Sequence, residues 1–149
     1  MKSKRALVPA LLATVAVAYA AASSAASPSW TVERYYTTEM WSSFADIGKS
    51  GAGPGDVYTS QQSLTSLDGK KLGVVNGFGV NLHRPYVFFH WTASLNGGTL
   101  TIESAIDLRA KSATYPIEGG TGRYEGAHGT VTVTGAGKNR SLATVRYER

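Results

Sequence analysis

From residue 30 onward apolar residues return at nearly every second position, in runs broken by Gly, Asn, Asp and Ser. A period near two puts alternate side chains on opposite faces of an extended segment, so the pattern predicts strands and no sustained helix. Eight strands are expected, at Trp30–Glu39, Val57–Leu67, Leu72–Leu82, Tyr86–Leu95, Thr99–Leu108, Thr114–Glu118, His128–Gly135 and Ser141–Glu148. Between them, Asp68-Gly69, Asn96-Gly97-Gly98 and Gly135-Ala136-Gly137-Lys138-Asn139 supply the positive-φ residues of tight hairpins, and Arg84-Pro85 marks another turn. Neighbouring strands should therefore pair antiparallel. The connection from Met40 to Asp56, with Gly48, Gly51, Gly53, Pro54 and Gly55, reads as a mobile loop. A meander of eight strands leaves two open edges unless it closes. The expectation is an all-β fold, an eight-stranded antiparallel up-and-down barrel with room for side chains or one small ligand. A two-sheet sandwich is the alternative.

The N-terminal residues follow a different pattern. Met1-Lys2-Ser3-Lys4-Arg5, an apolar run from Ala6 to Ala22 and small residues through Ser27 have the layout of a secretory signal peptide, with cleavage expected after Ala26. The run falls short of the ~20 residues a bilayer span needs and contains Pro9. A secreted protein, extracellular or periplasmic, with one domain over 27–149 is expected. Cleavage would remove Lys2, Lys4 and Arg5 from a formal excess of +5, and the other cations form no stripe along the sequence. Neither nucleic acid nor, after cleavage, a membrane is expected as a partner.

The absence of cysteine excludes thiolate nucleophiles, iron–sulfur clusters and thiolate zinc sites, and leaves packing to stabilise the fold. His83, His90 and His128 lack metal-ligand spacing, so no metal is expected. No Gly-x-Ser-x-Gly stands in the chain, which removes support for a hydrolase nucleophile elbow.

The segment Pro116-Ile117-Glu118-Gly119-Gly120-Thr121-Gly122-Arg123-Tyr124-Glu125-Gly126-Ala127-His128-Gly129-Thr130-Val131 resembles the Gly-Gly-Thr-Gly signature of plant dirigent proteins and, with Ala for Thr, of allene oxide cyclases. Gly98-Thr99-Leu100-Thr101-Ile102, Gly55-Asp56 and Asp68-Gly69-Lys70-Lys71-Leu72-Gly73 extend the likeness over about residues 55–148. The resemblance implies a barrel, assembled as a homotrimer or homodimer, whose lumen binds a hydrophobic small molecule and guides its cyclisation or coupling without metal or organic cofactor. It aligns the cyclase glutamate with Glu33, a pocket asparagine with Gln61, the pocket cysteine with Gly79 and the pocket tyrosine with Asp107. The dirigent tyrosine and arginine fall on Leu95 and Ala105. Glu33 and Asp107 are thus the candidate catalytic residues. The signature itself reads as a tight backbone corner and not as a site.

Alternation alone does not say which strand face lines the lumen. On the fourth strand Tyr86, Phe88, His90, Thr92 and Ser94 oppose Val87, Phe89, Trp91, Ala93 and Leu95; on the fifth, Glu103, Asp107 and Arg109 share a face. Turned inward, that face would make a polar cluster able to stabilise a developing charge. Gln61, Tyr35, His90 and Glu103 are therefore candidate substrate-binding residues. Three functions fit: an enzyme that directs a cyclisation or coupling, a carrier barrel that transforms nothing, and a structural protein with a filled lumen.

Overall fold

In the computed structural model, residues 29–149 are described. The expected signal peptide lies outside them. Eight strands follow in chain order: β1 (Thr31–Ala45), β2 (Val57–Thr65), β3 (Lys71–His83), β4 (Tyr86–Leu95), β5 (Gly98–Asp107), β6 (Ser112–Gly122), β7 (His128–Gly135) and β8 (Arg140–Glu148). Each pairs antiparallel with the next, and β1 returns to β8 from Thr31↔Tyr147 to Thr38↔Arg140, closing the barrel. Closure satisfies the ladder groups that an open meander would leave at its edges, and it excludes the sandwich.

The turns form as their residues dictate. Gly69 and Gly97 take φ of 89° and 92°, conformations with little cost for glycine alone. Up-and-down topology gathers the β2–β3, β4–β5 and β6–β7 turns at one end, the floor. The β1–β2, β3–β4, β5–β6 and β7–β8 connections gather at the other end, the mouth.

Two elements differ from the sequence expectation. β1 runs on to Ala45, because Trp41 to Ala45 pair with Gln61 to Val57 after a bulge between Glu39 and Trp41. The residues that remain between β1 and β2 are no free loop. The buried Asp56 carboxylate accepts the Gly53 and Ile47 N–H groups at 2.6 and 2.9 Å, and these bonds hold its pKa below the usual carboxylate range. β6 is also longer than the sequence suggests, since the strand carries through Gly122 of the glycine-rich signature.

The core lies in the floor half of the barrel, around the base of the lumen. Leu64, Leu100, Ile117, Val131 and Val145 pack with Tyr35, Tyr124 and Tyr147, all buried. Each aliphatic side chain so buried contributes about 1.5–3 kcal/mol relative to exposure.

Candidate functional site

Between these core side chains the lumen is hollow. A cavity of about 120 Å³ is lined by, among others, Tyr35, Thr37, Gln62, Trp91, Ala93 and Tyr115. Its scale suits one ring or a short chain, since an apolar cavity of ~150 Å³ accommodates benzene. The lining fixes the inner face of each strand, so Val87, Phe89, Trp91, Ala93 and Leu95 are the inward set of β4. Glycines on the facing strand make room for its aromatic rings. A Cβ on Gly77 would stand 1.9 Å from Trp91, and one on Gly79 2.5 Å from Phe89. The two rings stack at 4.5 Å and 8°, and Trp91 meets the edge of Tyr115 at 5.1 Å. Thr37 and Gln62 also border a more polar hollow of about 250 Å³ at the mouth, together with Glu39, Asn139, Arg140 and Ser141. Polar groups are thus few and placed at the two ends of an apolar shaft, an arrangement that orients a hydrophobic ligand.

The floor is closed by a hydrogen-bonded cluster. Tyr124 turns inward from the β6–β7 turn and is fully buried. Its hydroxyl donates to Glu33 Oε2 at 3.1 Å, while Tyr147 donates to Glu33 Oε1 at 3.1 Å. Arg123 donates to Glu33 at 3.2 Å and also to the Tyr124 hydroxyl. Tyr35 lines the cavity and places its hydroxyl 3.4 Å from that of Tyr124. The Glu33 carboxylate therefore stands behind Tyr35, joined to the lumen through two phenols.

Burial, followed by the Glu33 charge, pushes the Tyr124 phenol up to about 12 and raises Tyr147 as well. A phenol whose folded pKa exceeds its unfolded value of about 10 contributes stability that is complete below that pH and lost as pH rises through the folded pKa. Phenolate absorbance of the wild type should therefore show a component titrating near 12 that Tyr124→Phe removes. Superimposable titrations of the two proteins would contradict this placement.

Among the described residues, no group of three or more His, Cys, Asp or Glu side chains is placed to hold a metal ion. A family model described as "Allene oxide cyclase barrel like domain" matches residues 31–145. The chain belongs to this family. Several solved structures share the fold of this allene oxide cyclase-like barrel. "Pyocyanin demethylase" superposes with a TM-score of 0.71 at 23% identity, over 78% of this chain and 99% of that one. AbnU, described as an exo-specific intermolecular Diels-Alderase, gives 0.70 at 14% identity over 83% and 99%. The pterocarpan synthase dirigent protein GePTS1 gives 0.64 at 17% identity over 80% and 83%. No curated protein matches the chain significantly.

Within this allene oxide cyclase-like barrel, the residues singled out from sequence separate into two groups. Glu33 and Tyr35 point inward and meet in the floor cluster. Gln61, His90, Glu103 and Asp107 do not reach the lumen, because each has the opposite parity to a cavity-lining neighbour on its own strand. Gln61 donates to Asn76 at 2.8 Å on the outer face, and it is Gln62 that lines the cavity. His90 pairs with Glu103 at 3.1 Å across β4 and β5 and stacks on Phe78, also outside. Asp107 is bound by Arg109, whose hydrogen bonds hold its carboxyl below the usual range. The charged face of β5 looks to solvent and forms no lumen cluster.

The sequence reading missed Tyr124, Arg123 and Tyr147. The first two lie inside the glycine-rich signature, whose glycines by themselves point only to backbone geometry. A large aromatic among glycines at a strand corner was the available signal, because glycines leave open the space that such a side chain can occupy.

Proposed function

We infer that this chain is an exported barrel that binds a hydrophobic, unsaturated small molecule in its lumen and directs a cofactor-free cyclisation or stereoselective coupling. The observation that carries this reading is the apolar shaft with Trp91, backed by the stacked Phe89 ring, on its wall and the Tyr35 phenol at its base. Ring closure of a polyene needs one folded conformer held in place, and a shaped apolar wall supplies that by restricting the alternatives. A hydroxyl that hydrogen-bonds a ligand carbonyl more strongly as charge develops there lowers the barrier further. Tyr35 is suited to this, because the Tyr124 hydroxyl gives its own proton to Glu33 and can only accept from Tyr35, at a long 3.4 Å, so that a ligand carbonyl at the base of the shaft can take the Tyr35 proton over. Glu33 is then a positioning residue that acts through Tyr124. The fold-level likeness to Diels-Alderase and dirigent barrels supports the class of reaction.

The test is an intramolecular [4+2] closure of a synthetic decatrienone, long enough to reach from the shaft past Thr37 and Gln62 into the hollow at the mouth, an isomerisation in which two C–C bonds form at the expense of π bonds and nothing is gained or lost. Wild type should accelerate the closure and bias the ring-fusion stereochemistry. Tyr35→Phe should lower the rate about tenfold, the worth of one hydrogen bond of ~1.4 kcal/mol. Ala93→Phe, which fills the shaft, should abolish acceleration. Saturable binding with neither acceleration nor bias would favour a carrier over an enzyme.

A further inference from the structure

The two ends of the barrel differ in charge and in exposed apolar surface. The floor turns, 66–70, 96–97 and 123–127, carry Lys70 and Arg123 balanced by Asp68 and Glu125, and three large apolar side chains are exposed at that end, Leu67 together with Val32 and Trp30 at the start of β1, the last under the Arg146 guanidinium. The mouth connections carry exposed Lys49, Arg84, Arg109, Lys111 and Lys138. Of these only Arg109 is in an ion pair among the described residues. With Arg140 the rim carries six cations against four carboxylates, Glu39, Asp46, Asp56 and Asp107, which keep their charges while accepting hydrogen bonds from Ser42, Gly51, Gly53 and Arg109 respectively. Interleaved with the free cations stand Phe44, Ile47, Leu82, Tyr86 and Leu108, each 45–55% exposed.

Along the chain these residues are dispersed, one or two per connection, and so form no visible cluster. The up-and-down topology collects them on one rim, at the end of the barrel where the polar hollow that shares Thr37 and Gln62 with the apolar cavity lies. We propose that this rim docks on an anionic lipid surface, which replaces the expectation of no membrane partner. Cations on a rim gain from a negative headgroup layer, while apolar side chains between them enter the acyl boundary; neither feature alone binds stably. The charge complementarity selects anionic lipid over a second copy of this chain, whose rim would bring like charges together. Docked in this way, the mouth faces the bilayer, and a water-insoluble ligand would pass into the lumen without crossing water.

The barrel closes and buries its core within residues 29–149, so protein of that length serves the test and keeps the apolar N-terminal run out of it. Flotation is measured with vesicles of phosphatidylcholine alone and with equal parts of phosphatidylglycerol. Binding is expected only to the anionic vesicles, and to weaken as salt screens the charges. Arg84→Glu combined with Lys111→Glu should weaken binding about 25-fold or more, at roughly fivefold per charge removed. Leu82→Ser with Leu108→Ser should weaken it with the charges intact, and Leu67→Ser with Lys70→Glu at the floor should not. All six positions are exposed, and unchanged thermal unfolding verifies each fold. Absence of flotation, equal binding to both vesicles, equal loss from the floor variant, or a dimer in solution that the rim variants dissociate would each overturn the proposal. Ala93→Phe should float like wild type, so failure of the lumen reading and failure of this one are separable.

Discussion

Gly120→Val should destabilise the barrel by about 3 kcal/mol or more and lower the Tm by ~10 °C, whereas Gly119→Val should be close to neutral. A Cβ on Gly120 would stand 2.6 Å from the Thr99 and Tyr124 carbonyl oxygens and 2.7 Å from Tyr124 Cβ. Two of these atoms are backbone and the third begins a fully buried side chain, so none can yield as the tip of a flexible chain would. Gly119 has nothing within 4 Å of its Cβ position and no positive φ. The adjacent glycines of one signature thus have opposite tolerances, and thermal unfolding of the two variants measures the difference. Equal losses would show that β6 does not approach β5 and the Tyr124 turn as described. Because Gly120→Val also displaces Tyr124, it should loosen the floor cluster and remove the late phenolate titration.

Glu33→Ala should cost about 2–4 kcal/mol, because it strands two phenols that the carboxylate now satisfies. Arg123 loses less, being half exposed and able to turn to water. Glu33→Gln keeps an acceptor oxygen and should cost less than half as much. The discriminating measurement is a double-mutant cycle with Tyr147→Phe, whose hydroxyl has Glu33 as its partner. Deleting both should cost clearly less than the sum, since much of the single loss is the penalty of an orphaned hydroxyl. Additivity within ~0.5 kcal/mol would mean that the carboxylate and the phenol do not meet. Identifying Glu33 from family likeness alone would assign it to the ligand and expect little effect on stability. Its bonds to Tyr124, Tyr147 and Arg123 make it part of the floor as well.

The architecture was legible because period-two alternation and glycine-bearing turns act locally, and closure follows from the cost of open edges. The end of β1 was not, because glycines after Ala45 suggested mobility where Asp56 supplies bonds from further along the chain. Lumen residues were half legible. Glu33 and Tyr35 lie on the first strand before the bulge, where parity is undisturbed. Gln61 was taken for Gln62 because a one-residue slip in register exchanges the two faces of a strand, and alignment to a distant family does not resolve single residues. His90, Glu103 and Asp107 are polar residues on strands whose outer faces are solvated, and nothing local distinguishes that from a polar lumen. The floor cluster joins positions about ninety residues apart in sequence, Glu33 to Tyr124, and only the closed barrel brings them together.

Methyl-resolved NMR of residues 29–149 titrated with indole, a small bicyclic probe with one N–H donor, tests the central claim that the lumen is the ligand site. Shifts are expected to concentrate on Leu64, Leu100, Ile102, Val131 and Val145, which line the cavity, and to leave Val74 and Val80, of outward parity on β3, unchanged. Shifts confined to outward-facing methyls, or none at concentrations that saturate a millimolar site, would contradict it and leave the barrel a packed scaffold.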